Sequence, residues 1–305
     1  MAGNLQHFVP QLYLRRYTDG NEGIWVFDKV EQKKFPTGIK AVAAENLFYK
    51  LSEMEVKEIQ HFASGTISES LIDDIITEEI EPLFKKHLDK ILASYKSYKE
   101  ENKEFIIDSE EIEYLAQSIA FQYYRTKAYR EAMKRNKSSE LKYLYYQDEK
   151  DVPINIGALE HFKQMIERTN ILAEDLRDNF FWIIIENKTN VPFYTSDNPV
   201  ILRIHKNREV MQALFDNPII EVNEYVFPLT SKLLLVLVKQ EDFLGEILNH
   251  RKAKHETNQD VIKAYNEAQL HSAHRQLYCP TDNFESIDGL NTILPDTTTI
   301  RVKLS

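Results

Sequence analysis

Cysteine is almost absent: Cys279 stands alone in 305 residues. An intrachain disulfide framework is therefore excluded, as is a cysteine-rich zinc site. Glycine is scarce too, with 8 residues. None of them forms a GxGxxG or GxxxxGK[ST] loop, so the usual dinucleotide and Walker phosphate cradles are missing. No apolar run approaches the roughly 20 residues needed to cross a bilayer. The opening residues lack the basic-then-apolar order of a secretory signal, and the expectation is a cytoplasmic protein with no membrane partner. Positive charge is in deficit: 38 Lys and Arg against 48 Asp and Glu leave a formal net charge of −10. That argues against a broad surface for coating nucleic acid or an anionic membrane, while leaving room for a local basic pocket. Neither an HExxH metalloprotease motif nor a GxSxG nucleophile elbow is present, which removes those two hydrolase classes.

What the chain does have is a core-forming composition, 43% hydrophobic, and one dominant apolar run, Phe180-Phe181-Trp182-Ile183-Ile184-Ile185. Aromatic and β-branched, it predicts a buried strand. Residues 187–190 predict a turn, and 191–194 a returning strand that completes a hairpin. A polar plug follows, Thr195-Ser196-Asp197-Asn198-Pro199, and then Val200-Ile201-Leu202. Toward the N-terminus, 24–27 and 33–37 predict a second hairpin. Amphipathic helices are expected over 53–97 with a kink at Pro82, from Asp108 or Ser109 to about 135, and over 158–168, 171–178, 242–250 and 256–277. Further strands are expected at 219–227, 232–238 and 299–304. Together these predict one α+β domain over 1–305. It is predominantly helical, with a helical middle at about 53–178 and a small, largely antiparallel sheet.

Candidate site residues come from polar groups set among apolar ones. Asp197 ends a strand beside a core, so its carboxylate must find partners or shift its pKa. On the long helix, Ser118, Gln122, Arg125 and Tyr129 share a stripe in an apolar neighbourhood. A buried Arg125 needs a carboxylate or a bound anion, and Asp197 is the expected carboxylate. His7 can serve as base, ligand or phosphate contact, with Gln11 and Arg15 close by in sequence. Thr195, Ser196 and Asn198 flank Asp197, Glu45-Asn46 interrupts an apolar stretch, and Asn266 lies on a late helix face.

Several motifs then coincide. His7-Phe8-Val9-Pro10-Gln11 with Leu14-Arg15, Ile24-Trp25-Val26-Phe27-Asp28, and Glu45-Asn46-Leu47-Phe48-Tyr49 open the chain. Ala120-Phe121-Gln122-Tyr123-Tyr124-Arg125-Thr126, the Phe193 to Val200 plug, and Asn266 with Ala273 and Gln276-Leu277-Tyr278 follow. In combination they resemble a bacterial family called domain of unknown function 4238, over nearly the whole chain. Lys127 stands where that pattern would place a proline. The resemblance implies a shared site and no settled activity. From the residues, the first expectation is a nuclease or phosphodiesterase that hydrolyses a phosphate ester of a nucleotide or nucleic acid. His7 would be its acid or base, and Asp197 would bind magnesium or manganese or orient His7. Arg15 and Arg125 would hold the phosphate with Gln11, Gln122, Thr195, Ser196, Asn198 and Asn266. The alternative is a sensor or adaptor that binds an anion or nucleotide without turnover and contacts a protein partner or a second copy of itself. In a third reading the same groups form a buried network that fixes the fold.

Overall fold

The computed structural model describes residues 5–101, 105–145, 155–203 and 223–287. In chain order the elements are β1 (Leu5–His7), α1 (Gln11–Leu14), β2 (Gly23–Asp28), β3 (Lys33–Gly38), β4 (Ala44–Asn46), α2 (Glu53–Gln60) and α3 (Leu71–Ile75). Then come α4 (Glu81–Glu101), α5 (Ser109–Tyr124), α6 (Lys127–Tyr145), α7 (Ala158–Asn179), β5 (Phe180–Asn187), β6 (Thr195–Ser196) and β7 (Ile201–Arg203). The remainder are β8 (Glu224–Thr230), β9 (Leu233–Lys239), β10 (Lys252–Glu256), α8 (Gln259–Ser272) and β11 (Gln276–Cys279).

The strands form three sheets, which corrects the expectation of a single small one. β1 pairs with β4, a five-stranded sheet runs β10-β5-β9-β8-β7, and a four-stranded sheet runs β3-β2-β11-β6. β5 lies inside the five-stranded sheet, between β9 (antiparallel) and β10 (parallel). Its side chains alternate between two cores: Phe180, Trp182 and Ile184 join the large helical core, while Phe181, Ile183 and Ile185 face the α8 side. All eight residues are buried. Each such apolar side chain contributes roughly 1.5–3 kcal/mol on burial, so this strand anchors both layers.

Residues 191–194 are not a returning strand. Asn187 Oδ1 accepts from Thr189 N and Thr189 Oγ1, and Asn187 Nδ2 donates to Val191 O. This knot turns the chain away from β5, whose two edges are already taken, and carries it to the four-stranded sheet, where β6 pairs with β11.

The helix expected to continue to about 135 stops at Tyr124 and restarts at Lys127. Thr126 caps the restart, its Oγ1 accepting from Tyr129 N. The helix expected over 53–97 is broken: α2 ends at Gln60, α3 starts at Leu71, and Pro82 falls on the second residue of α4, directly after a π-helical stretch, Ile76–Ile80. The helices expected at 158–168 and 171–178 are one, α7. The segment 242–250 holds only a 3₁₀ stretch, Leu244–Asn249. The helix expected through 277 ends at Ser272, and its last residues form β11. The strand expected at 299–304 and residues 219–222 of another lie outside the described residues. Among the described residues, no helix is long and apolar enough to cross a membrane.

Candidate functional site

β1, β4, the start of α4 and the α5–α6 junction meet around Arg125. This guanidinium is 2% exposed. Its Nη2 donates to the His7 carbonyl at 2.8 Å and to Glu81 Oε1 at 2.9 Å, and its Nε donates to the Tyr49 hydroxyl at 3.3 Å. Glu81 on α4, not Asp197, is therefore the carboxylate that Arg125 requires. Gln122, one turn earlier, donates from Nε2 to the Phe8 carbonyl, and its Oε1 is buried without a partner. Both α5 side chains thus clasp the backbone of the opening segment.

His7 is partly buried. Its Nδ1 lies 3.5 Å from Gln11 Nε2, and its Nε2 is buried with no hydrogen-bond partner. Burial lowers its pKa below the ordinary histidine value; the Ile39 carbonyl and the Glu81 charge oppose that shift, and the Arg125 charge reinforces it. The imidazole is therefore neutral near pH 7 and keeps one unclaimed nitrogen. Asp73, near Glu81 and Arg125, has its pKa raised, chiefly by burial. The backbone here is strained. Ala43 and Leu47, which bracket β4, have φ of 49° and 57°, conformations that cost non-glycine residues of order 1 kcal/mol each.

Asp197 lies in a different setting. Oδ1 accepts from His274 N, and Oδ2 accepts from Arg275 N and Gln276 N, at 2.8 to 3.0 Å. Its carboxylate thereby ties β6 to the chain entering β11. Burial raises its pKa, opposed by the His274 charge and the three N–H donors. Lys29, also buried, donates to the Leu270 and Ala273 carbonyls at the end of α8. Among the described residues Asp197 bonds to neither Arg125 nor His7, so the expected His7–Arg125–Asp197 convergence is corrected to His7–Arg125–Glu81. No group of three or more His, Cys, Asp or Glu among the described residues is placed to hold a metal ion. Both Asp197 carboxylate oxygens are instead taken up by the three backbone N–H groups.

The other expected contacts scatter. Arg15 is half exposed and pairs with Glu22, because it begins a 3₁₀ turn on the outside of the opening segment. Thr195 Oγ1 meets the Tyr13 hydroxyl at 2.7 Å. Ser196 Oγ accepts from Asn198 N and Gln269 Nε2. Asn198 Nδ2 donates to Ser272 O and Oγ. Asn266 accepts from Tyr194 N and donates to Pro192 O and Ser286 Oγ. These four secure the plug against Tyr13 and α8. Ser118 bonds back to Tyr114 O within its own helix, and the break after Tyr124 takes Tyr129 off the stripe.

Sequence reasoning missed Glu81, Tyr49, Arg130 and His161, all of which surround Arg125. Arg130 sits 3.8 Å above the Phe48 ring, and its Nε donates to His161 Nδ1 at 3.0 Å. His161 Nε2 faces the Tyr124 carbonyl at 2.9 Å. Burial, reinforced by the Arg130 charge, pushes the His161 pKa down to about 3.

A family model described as "Protein of unknown function (DUF4238)" matches residues 5–283. No curated protein and no solved structure matches the chain.

Proposed function

Since the chain belongs to the DUF4238 family, whose description assigns no activity, we propose its function from the site itself: hydrolysis of a phosphate ester, as a nuclease or phosphodiesterase. The observation that carries this reading is a neutral imidazole with an unclaimed, sheltered Nε2 beside a buried Arg–Glu pair. In the proposed reaction, water attacks phosphorus while His7, as the neutral tautomer protonated on Nδ1, takes the water's proton on Nε2; the P–O bond to the ester alcohol breaks, and His7 returns that proton to the leaving alkoxide. Gln11 orients that ring by accepting from Nδ1–H through its amide oxygen, after a flip of the amide whose nitrogen lies 3.5 Å away. Glu81 holds Arg125 in place, and the positive field of Arg125 offsets the charge that develops on the phosphoryl oxygens. Asp197 serves as a structural clamp in this scheme.

The test is incubation of the pure protein with nucleic acids and nucleotides, with and without magnesium or manganese. Product is expected from wild type. His7→Ala should lower the rate by about 10²–10⁴-fold, the usual worth of a positioned general base, with the folded state intact by circular dichroism. Turnover that survives His7→Ala overturns the assignment.

A second reading, an anion sensor or adaptor, draws on the depth of Arg125. A guanidinium 2% exposed and already bonded on two nitrogens suits holding better than turnover. It predicts a ligand-induced rise in melting temperature with no product.

A further inference from the structure

Arg130 lacks an ion pair. Among the described residues no carboxylate comes within 4 Å of it, and its Nη2 is buried without a hydrogen-bond partner. The acids around it, Glu45, Glu131 and Glu55, are engaged elsewhere. Glu45 pairs with Lys127 at 2.5 Å, Glu131 with Lys134 at 2.8 Å, and Glu55 accepts from Ser52 N and Leu159 N. A partly buried guanidinium with no carboxylate in direct contact is unfavourable unless an anion completes it.

Its orientation is fixed on two sides. Its Cζ lies over the Phe48 ring, and Nε is committed to His161. His161 can accept from Nε only as the neutral tautomer whose Nε2–H donates to Tyr124 O. With face and Nε occupied, the two terminal nitrogens are what remains to bind. A planar guanidinium held this way matches two oxygens of a phosphate. Tyr49 and His161 both feel the charges of Arg130 and Arg125, so the two cations border one region.

We propose that Arg130 is the seat of a phosphate-type oxyanion, with Phe48 and His161 as its positioning residues and Arg130 in the substrate-holding role first assigned to Arg15. Only the choice of a phosphate as ligand rests on the hydrolase reading. The anion is either free phosphate or the phosphoryl group of an ester.

The experiment is titration calorimetry of the full chain with inorganic phosphate and, separately, a nucleoside monophosphate, at constant ionic strength in chloride. Saturable binding of at least one is expected. Arg130→Met should weaken it at least tenfold, and Arg130→Lys, which keeps the charge but loses the fork and the stack, should fall between. Tighter binding of the nucleotide identifies an ester, and tighter binding of phosphate the free ion. Equal affinity in wild type and Arg130→Met, or no binding of either ligand, overturns the seat. Circular dichroism of both variants guards against misfolding. Arg130-dependent binding without product keeps the seat and rejects the hydrolase. Product formation with KM unchanged in Arg130→Met does the reverse.

Discussion

Arg125 and Asp197 look alike in sequence, each a charge set among apolar neighbours, yet they are neutralised by different means. Arg125 has a side-chain partner, Glu81, which is 17% exposed. Glu81→Ala leaves the guanidinium buried and unpaired, so a loss of about 3 kcal/mol is expected. Urea denaturation measures it, and Glu81→Leu combined with Arg125→Met should recover much of that loss. Asp197 is neutralised by backbone instead. Asp197→Ala strands three N–H groups and should cost about 3 kcal/mol or more; Asp197→Asn, which keeps one carbonyl oxygen, should cost less. His161 supplies the pH dependence. Its folded pKa, about 3, lies below the unfolded value near 6.5. Between those two values the unfolded chain binds more protons, so stability falls as pH drops from about 6.5 toward 3. His161→Gln should flatten that part of the stability–pH curve. The sequence marked Arg125 and Asp197 as needing partners and then paired them with each other. Glu81 escaped notice because it lies 44 positions from Arg125 and reads as one more acid on an acidic helix.

The junction between α5 and α6 is the element that places both arginines. Arg125 closes α5, and Arg130 lies in the first turns of α6. Thr126→Ala removes the cap on Tyr129 N and should cost about 1 kcal/mol. Lys127→Pro is a sharper probe. Position 127 is the first residue of α6, where proline is tolerated, so a change in melting temperature within a few degrees is expected. Ala120→Pro inside α5 should cost about 3 kcal/mol or more. The break was hidden because Lys127 and Ala128 favour helix and neither glycine nor proline marks the boundary. β5 was legible because six consecutive aromatic and β-branched residues leave little choice. Its partners were not: β9 and β10 lie beyond the plug in sequence, so the nearest apolar segment, 191–194, stood in for them. The N-terminal hairpin was read almost to the residue, since β2 and β3 are adjacent in sequence and joined by a short turn.

Across the whole molecule, protection is unevenly spread. β5, β8 and β9 are buried nearly throughout, whereas α2 has no buried residue. Hydrogen exchange by mass spectrometry should find α2 exchanging orders of magnitude faster than those strands; equal protection would mean that α2 is held by something other than its capping box and exposed pairs. Three sheets were mistaken for one because β1, β4, β6, β7 and β11 contain two to four residues each, too few to carry a periodic signal. The position of β5 also bears on biosynthesis. This strand leaves the ribosome before either neighbour, and the later of them ends only at Glu256. At about 5–20 residues per second, the interval from Asn187 to Glu256 lasts several seconds. During that time the two backbone edges of the strand and its Phe181, Ile183 and Ile185 face have no native partner, which makes it the natural holding point for a chaperone.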